Sequence, residues 1–270
     1  MKALAILACV LSLSLSHAPA QISDSPDSHL AEAFWAWEES APPSDAEQET
    51  VARYRAKLKN DGLSERAIDD TIVRLKHELL RQDGEFYDGI YAKGAPAGRG
   101  PNQLLVQAVK GVRPGAALDV AMGQGRNSLF LAAQGWRVTG FDISRVGLRQ
   151  ADENAKKSGL QIHTVLSGDE SFPFGRSQWD LIAIIYALEK RSVRRVAEAL
   201  KPGGIVVVES GNKKASGAPF EYEHNELRDL FQNFEILKYE ETTEKGDWGE
   251  KPYTLVRLIA RKPAEKPHGR

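Results

Sequence analysis

The sequence predicts an α/β fold: a doubly wound, seven-stranded, mostly parallel sheet whose last strand is antiparallel, preceded by a helical extension. Three observations predict it. From about Pro101 onward, short apolar runs rich in β-branched residues alternate with segments of helical period. The first of these runs ends in a glycine-bearing turn, "LDVAMGQGRNS", that opens a helix. The last two runs are joined by "TTEKGDWGEKP" with no helix between them, so they form an antiparallel hairpin.

Within this frame, strands are expected at residues 116–121, 137–142, 162–167, 180–185, 205–210, 235–241 and 253–261. Helices are expected at 103–112, 128–134, 146–158, 192–200 and 225–231. Ahead of them, Ser44 and Glu47 make a capping box; Val51, Tyr54 and Leu58 then share one helical face, and Gly62 ends the helix. Ser64 caps the next helix, on which Ile68, Ile72, Leu75 and Leu79 recur at helical spacing. Such stripes face a core. Residues 21–45 carry Pro26, Pro42 and Pro43 among polar residues and read as a mostly flexible tether. Within it, "HLAEAFWAWEE" is a short helix candidate whose Trp35 and Trp37 could dock.

Residues 1–20 read as a signal peptide: Lys2 is the basic start, Ala3 to Leu15 the apolar run, and Ala18-Pro19-Ala20 the small-residue cleavage site. The run is too short for a stable membrane anchor. The protein is therefore expected outside the cytoplasm, periplasmic or secreted, if that signal is used, and in the cytoplasm otherwise. No membrane association is expected after cleavage. The formal net charge of −1 gives no nonspecific attraction to nucleic acid or an anionic surface, and no nucleic-acid partner is expected. The one cysteine, Cys9, lies in the apolar run, so the mature chain has no disulfide, thiolate metal site or cysteine nucleophile. His17, His29, His77, His163 and His268 lack metal-ligand spacing, and no metal is expected. Nothing in the sequence sets the oligomeric state.

The glycine turn occupies the place where open α/β sheets bind ligands, beyond the carboxyl end of the first strand. Gly123 and Gly125 permit positive φ and close backbone approach; Asn127 or Ser128 can cap the helix that follows. Asp119 lies in the strand just before the turn. Its carboxylate would repel a dinucleotide pyrophosphate and favour a cation such as S-adenosylmethionine (SAM), which has no phosphate. Asp142, ending the next strand, can accept both ribose hydroxyls, but dinucleotide enzymes use an acid there too.

"ALDVAMGQGRNSLFLAAQGWRVTGFDIS" resembles the first two motifs of class I SAM-dependent methyltransferases, and within them looks most like the tellurite-resistance-type methyltransferases, whose loop also continues Gly-Arg-Asn-Ser. The likeness runs over about 86–262 and includes "SGDESFPF", "WDLIAIIYAL", "LKPGGIVVVES" and "FEYEHNELRDLF". It implies a Rossmann-like methyltransferase domain at 93–263, preceded at 46–92 by the helical extension and the cofactor lid; residues 264–270 are expected to be a disordered tail. It also implies roles: Asp119, Ala121, Gly123, Gly125 and Asn127 around the methionine end of SAM, Asp142 on the ribose, Ile143 beside the adenine and Asp169 at the adenine amino group. "FYDGIY" resembles an aromatic-Asp-x-x-Tyr lid segment, which makes Tyr91 the lid candidate and Tyr87 a second one.

Two departures matter. Ala121 replaces the usual first glycine; its methyl is harmless at negative φ and costs about 1 kcal/mol or more at positive φ. "IYAL" stands where enzymes that methylate nucleobase amines carry Asn-Pro-Pro-Tyr, which argues against that acceptor class. Tyr186, Arg126 and His224 are the catalytic candidates on the acceptor side, with Glu209 a further pocket candidate. The expected function is methyl transfer from SAM to a small molecule, a thiol or a chalcogen oxyanion being the candidates. The alternatives are an exported SAM-binding or inactive interaction protein and, with little support, an NAD(P)-dependent oxidoreductase.

Overall fold

The computed structural model describes residues 25–41, 47–94, 100–212, 221–247 and 252–264. The expected signal peptide, the Ser44 half of the capping box and residues 265–270 lie outside them. The chain divides into two compact units, with the boundary between Phe86 and Tyr87.

The first unit holds α1 (Ser28–Ser40), α2 (Glu47–Asn60) and most of α3 (Glu65–Ala92). The predicted stripes are its core: Tyr54 and Leu58 of α2 and Ile68, Ile72 and Leu75 of α3 are buried together with Ala31 and Phe34 of α1. Phe34 meets Tyr54 edge to face at 5.0 Å, a favoured aromatic geometry. Ser64 caps α3 as expected, accepting from the amide of Ala67 at 3.3 Å. The tether expectation needs correction. Residues Ser28–Ser40 form a helix that contributes Phe34 to this core, with Trp35 and Trp37 half-buried against it. The prolines that read as a tether flank this helix in sequence and do not interrupt it.

The last turns of α3, from Tyr87, belong to the second unit. It continues through α4 (Gln103–Val109), β1 (Ala116–Val120), α5 (Arg126–Ala133), β2 (Arg137–Asp142), α6 (Arg145–Lys157), β3 (His163–Leu166) and β4 (Trp179–Ile185). After these come α7 (Val193–Ala199), β5 (Leu200–Gly211), α8 (Glu226–Leu230), β6 (Glu235–Glu244) and β7 (Tyr253–Arg261). The seven strands lie in the order β3-β2-β1-β4-β5-β7-β6. β1 to β5 are parallel, and β7 runs antiparallel between β5 and β6. The predicted doubly wound sheet and closing hairpin are both present.

Both faces of the sheet are covered, which is why its central strands are apolar almost throughout. Leu118, Val120, Ile182, Ile184, Val206 and Val208 pack on one side. Ala117, Leu181, Ala183, Ile205 and Val207 pack on the other, with Leu131 of α5 and Leu104 of α4. Strand alternation therefore turns Asp119 toward the side that α5 covers. β5 begins earlier than expected because Leu200 already pairs with Trp179 across an irregularity in the ladder. Chain order reverses at β1, whose neighbours are β2 and β4, so the carboxyl ends of β1, β2 and β4 form the switch point where such sheets hold ligands.

Candidate active site

The turn after β1 is built by two glycines that no other residue could replace without displacement. Gly123 has φ +53°, and a Cβ there would lie 2.5 Å from the Tyr91 hydroxyl oxygen. Gly125 has φ +79°, and a Cβ there would lie 2.9 Å from the Cβ of Ala151 on α6. Ala121 also has positive φ, +53°, so its methyl does carry strain, about 1–2 kcal/mol. The capping expectation is corrected here. Gly125 itself takes the cap position of α5 and offers no side chain. Asn127 and Ser128 fall in the first helical turn and point inward. Asn127 Oδ1 accepts from the Asn102 amide at 2.9 Å, and Ser128 Oγ donates to Asp119 Oδ2 at 2.7 Å.

Asp119 is thus sealed beneath the turn, 1% exposed, bracing the start of α5. Burial pushes its carboxyl up to about 6, with the Ser128 hydroxyl pulling the other way. Above pH 6 it keeps the negative charge that the sequence argument requires. That charge acts through the turn and is committed to Ser128.

Asp142 ends β2, where the likeness requires the ribose acid. Its Oδ2 accepts from the Gly123 amide and its Oδ1 from the Ser144 amide, each at 2.8 Å. A carboxylate offers about four lone-pair sites, so beside these two amides and that of Ile143 it keeps acceptor capacity toward a ribose. Burial raises this carboxyl too, to about 6. Ile143 follows it, half-buried. Asp169 lies beyond β3 and accepts from the Ser192 hydroxyl through Oδ2. Its buried Oδ1 has no hydrogen-bond partner among the described residues, with Arg195 Nη1 at 3.8 Å. An orphaned buried acceptor at this position suits the amino group of adenine. Tyr91, 7% exposed, covers Gly123 and Gly147, and Tyr87 stacks on it at 6.4 Å. The residues present therefore fit SAM at its methionine turn, its ribose and its adenine.

The second half of the site is a polar network beyond β4 and β5. Tyr186 follows β4 at φ +62°, a strained conformation for a tyrosine. Its hydroxyl donates to Glu209 Oε1 at 2.8 Å and accepts from the Asp247 amide at 3.2 Å. Burial and the adjacent Glu209 push the phenol far above its ordinary range, so it stays protonated. Glu209, 2% exposed, also accepts from Asn102 Nδ2 at 2.7 Å and from Arg257 Nε at 2.5 Å. Arg126 is drawn in at the start of α5, donating to the Gly100 carbonyl at 3.1 Å and pairing with Asp247. Asn102 Nδ2 reaches Asp247 as well, at 3.0 Å, while its Oδ1 caps α4.

His224, the third of the catalytic candidates, is not among the residues of this network. It is 77% exposed just before α8 and pairs with Glu241 of β6 at 2.9 Å. β6 is the outer strand, two strand spacings from β5, or about 10 Å. Sequence reasoning missed Asn102, Asp247 and Arg257. Asn102 alone left a signal, as a cap residue ahead of an apolar helical run.

The fold defines the class: a class I SAM-dependent methyltransferase architecture, with a glycine turn after β1 and a buried acid ending β2. The family model for the tellurite resistance protein TehB matches residues 85–250, and the chain belongs to that family. A probable S-adenosyl-L-methionine-dependent methyltransferase TehB from Haemophilus influenzae is 29% identical over 149 residues, 51% of this chain and 52% of that one. The ribosomal RNA small subunit methyltransferase C of Alcanivorax borkumensis is 30% identical over 142 residues, 48% of this chain and 42% of its own. The chain spans about half the length of the curated relatives it matches. Among solved structures, Haemophilus influenzae TehB superposes with TM-score 0.54 at 22% identity, covering 66% of each chain. The cyclase SpnF superposes with TM-score 0.56 at 20% identity, over 68% of this chain and 96% of its own. Its different reaction shows that this fold does not set the chemistry.

Proposed function

We propose that the protein transfers a methyl group from SAM to a small-molecule acceptor that arrives already nucleophilic, a thiolate or a chalcogen oxyanion. The observation that carries the cofactor half is Asp142, buried at the end of β2 with both oxygens turned by the Gly123 and Ser144 amides. Bound SAM supplies an activated sulfonium methyl. The chain has to align the acceptor in line with it and exclude water.

The acceptor half supports the choice of nucleophile. Tyr186 stays protonated and so acts as a hydrogen-bond donor, not a base. Glu209 is matched by Arg257, and Asp247 by Arg126. The described ionisable groups on this side are committed to one another. An oxygen or nitrogen acceptor would want a base, whereas a soft anion needs only orientation. The rRNA-modifying relative raises a nucleic-acid acceptor as a competing outcome, against which stands the near-neutral charge of this chain. Among the described residues no helix is long and apolar enough to cross a membrane. Export through residues 1–20 is part of the same proposal; sequencing the mature N-terminus from the producing cell tests it.

Calorimetry with SAM tests the cofactor half: binding by the folded chain is expected, and no binding overturns the proposal. Turnover to S-adenosylhomocysteine with small thiols, tellurite or selenite tests the rest. The rate should rise with pH as the acceptor ionises, following the acceptor's pKa from one acceptor to the next. Binding without turnover of any of these acceptors would favour the non-catalytic interaction protein.

A further inference from the structure

The end of α3 is fastened to the cofactor loop by a carboxylate that the motif reading passed over. Asp88 lies one helical turn before Tyr91. Its Oδ1 accepts from the Ser144 hydroxyl at 2.5 Å and from the Val146 amide at 2.9 Å. Ser144 is the cap of α6: its Oγ accepts from the Gly147 amide at 2.9 Å, while its own amide donates to Asp142 Oδ1. Asp142 in turn holds the Gly123 amide. One continuous chain of hydrogen bonds therefore runs from Asp88 through Ser144 and Asp142 to Gly123. Tyr91 closes the circuit from above, with its ring against Gly147 and its hydroxyl over Gly123. A second, weaker tie is Gln150 Nε2 donating to the Tyr91 carbonyl at 3.2 Å.

We propose that Asp88 is a positioning residue for the cofactor: it bolts the Tyr91 turn to the N-terminus of α6, so that the lid and the ribose acid take up one shared geometry. The inference rests on the SAM reading above. Three features make Asp88 suited to this. Its negative charge sits at the first amides of a 13-residue helix, the end that stabilises anions. It satisfies the Val146 amide, which has no partner within the helix. And by accepting the Ser144 proton it leaves that oxygen's lone pairs for the Gly147 amide, fixing the rotamer of the residue that also orients Asp142.

The test combines ligand binding with amide exchange in the full chain. Asp88→Ala should weaken SAM binding about tenfold through faster dissociation, whereas Asp88→Asn, which keeps an acceptor oxygen, should stay within about threefold of wild type. In a Tyr91→Ala background, Asp88→Ala should add less than about twofold, because the bolt then holds nothing. Without ligand, amides of residues 87–92 and 145–148 should exchange about tenfold faster in Asp88→Ala than in wild type. Unchanged affinity in Asp88→Ala, or an undiminished effect without Tyr91, overturns the inference while leaving the SAM reading intact. If wild type binds no SAM, the cofactor reading fails and takes Asp88's link to the cofactor with it. The exchange result then decides whether the bolt exists.

Discussion

Asp142 and Glu209 are both buried carboxylates at the ends of parallel strands, 4% and 2% exposed, yet they are held by opposite means. Asp142 is gripped by backbone amides of its own neighbourhood, Gly123 and Ser144, and no cation touches it among the described residues. Glu209 is gripped by side chains from afar: Asn102, Tyr186 and the guanidinium of Arg257. The first arrangement leaves lone pairs and an uncompensated charge, which is what binding a diol on a cationic molecule requires. The second spends the carboxylate on structure. On the proposed reading, the cofactor half is a poised site and the acceptor half a braced wall.

The comparison breaks most readily at Arg257. Removing one partner of a buried ion pair strands the other, at about 3–5 kcal/mol. Arg257→Met should therefore lower unfolding free energy by about 3 kcal/mol in urea titrations, and adding Glu209→Leu should recover much of it. A loss below about 1 kcal/mol would mean that Glu209 is not braced as described. At Asp142 the ranking should invert. Asp142→Ala should leave stability near or above wild type but weaken SAM binding about 100-fold, from the loss of two charge-assisted hydrogen bonds. Calorimetry beside urea unfolding separates the two outcomes.

A third effect follows from the raised carboxyls. Asp142 and Asp119 sit near 6 in the folded chain against an ordinary 3.8, raised chiefly by burial. The folded state therefore holds their protons more tightly than the unfolded state does. Their contribution is fully present below about 4 and is lost as pH rises through about 6. Raising the pH from 4.5 to 7 should cost ligand-free wild type about 2 kcal/mol per group relative to Asp142→Asn or Asp119→Asn, read from urea midpoints at the two pH values. SAM affinity should move the other way over the same window if Asp142 is the ribose acid, because it must ionise to accept both hydroxyls. If stability and affinity rose together, the poised site would be wrong.

The same contrast explains what could be read from the sequence. The cofactor half is local. Asp119, Gly123, Gly125 and Asp142 lie within one strand-turn-helix-strand unit, and alternation of apolar runs was enough to place them. Asp169 and Tyr91 came from motif position. The acceptor half is assembled across the chain, Asn102 from before β1, Glu209 from β5, Asp247 and Arg257 from the hairpin. No spacing rule connects residues that far apart. His224 lies apart from that network for the same reason: its position in sequence says nothing about the strand order that puts β6 at the edge. The α1 helix was underread because flanking prolines mark boundaries as well as disorder.

The smallest effect tests the turn itself. Ala121 and Tyr186 are the two non-glycine residues with positive φ at the carboxyl ends of β1 and β4. They differ in what holds them there. Tyr186 is locked by its hydroxyl bonds to Glu209 and the Asp247 amide, so its strain is offset by the network and no smaller residue could replace it. Ala121 has an exposed methyl in a left-handed conformation. Its strain of about 1–2 kcal/mol is opposed only by the greater unfolded-state freedom of glycine, about 0.4–1 kcal/mol. Ala121→Gly should therefore stabilise the chain by about 0.5–1 kcal/mol, with SAM affinity equal or better, seen as a higher urea midpoint at unchanged slope. A lower midpoint would mean that the methyl makes contacts worth more than the strain, and that the alanine in place of the usual first glycine is part of the site and not an irregularity within it.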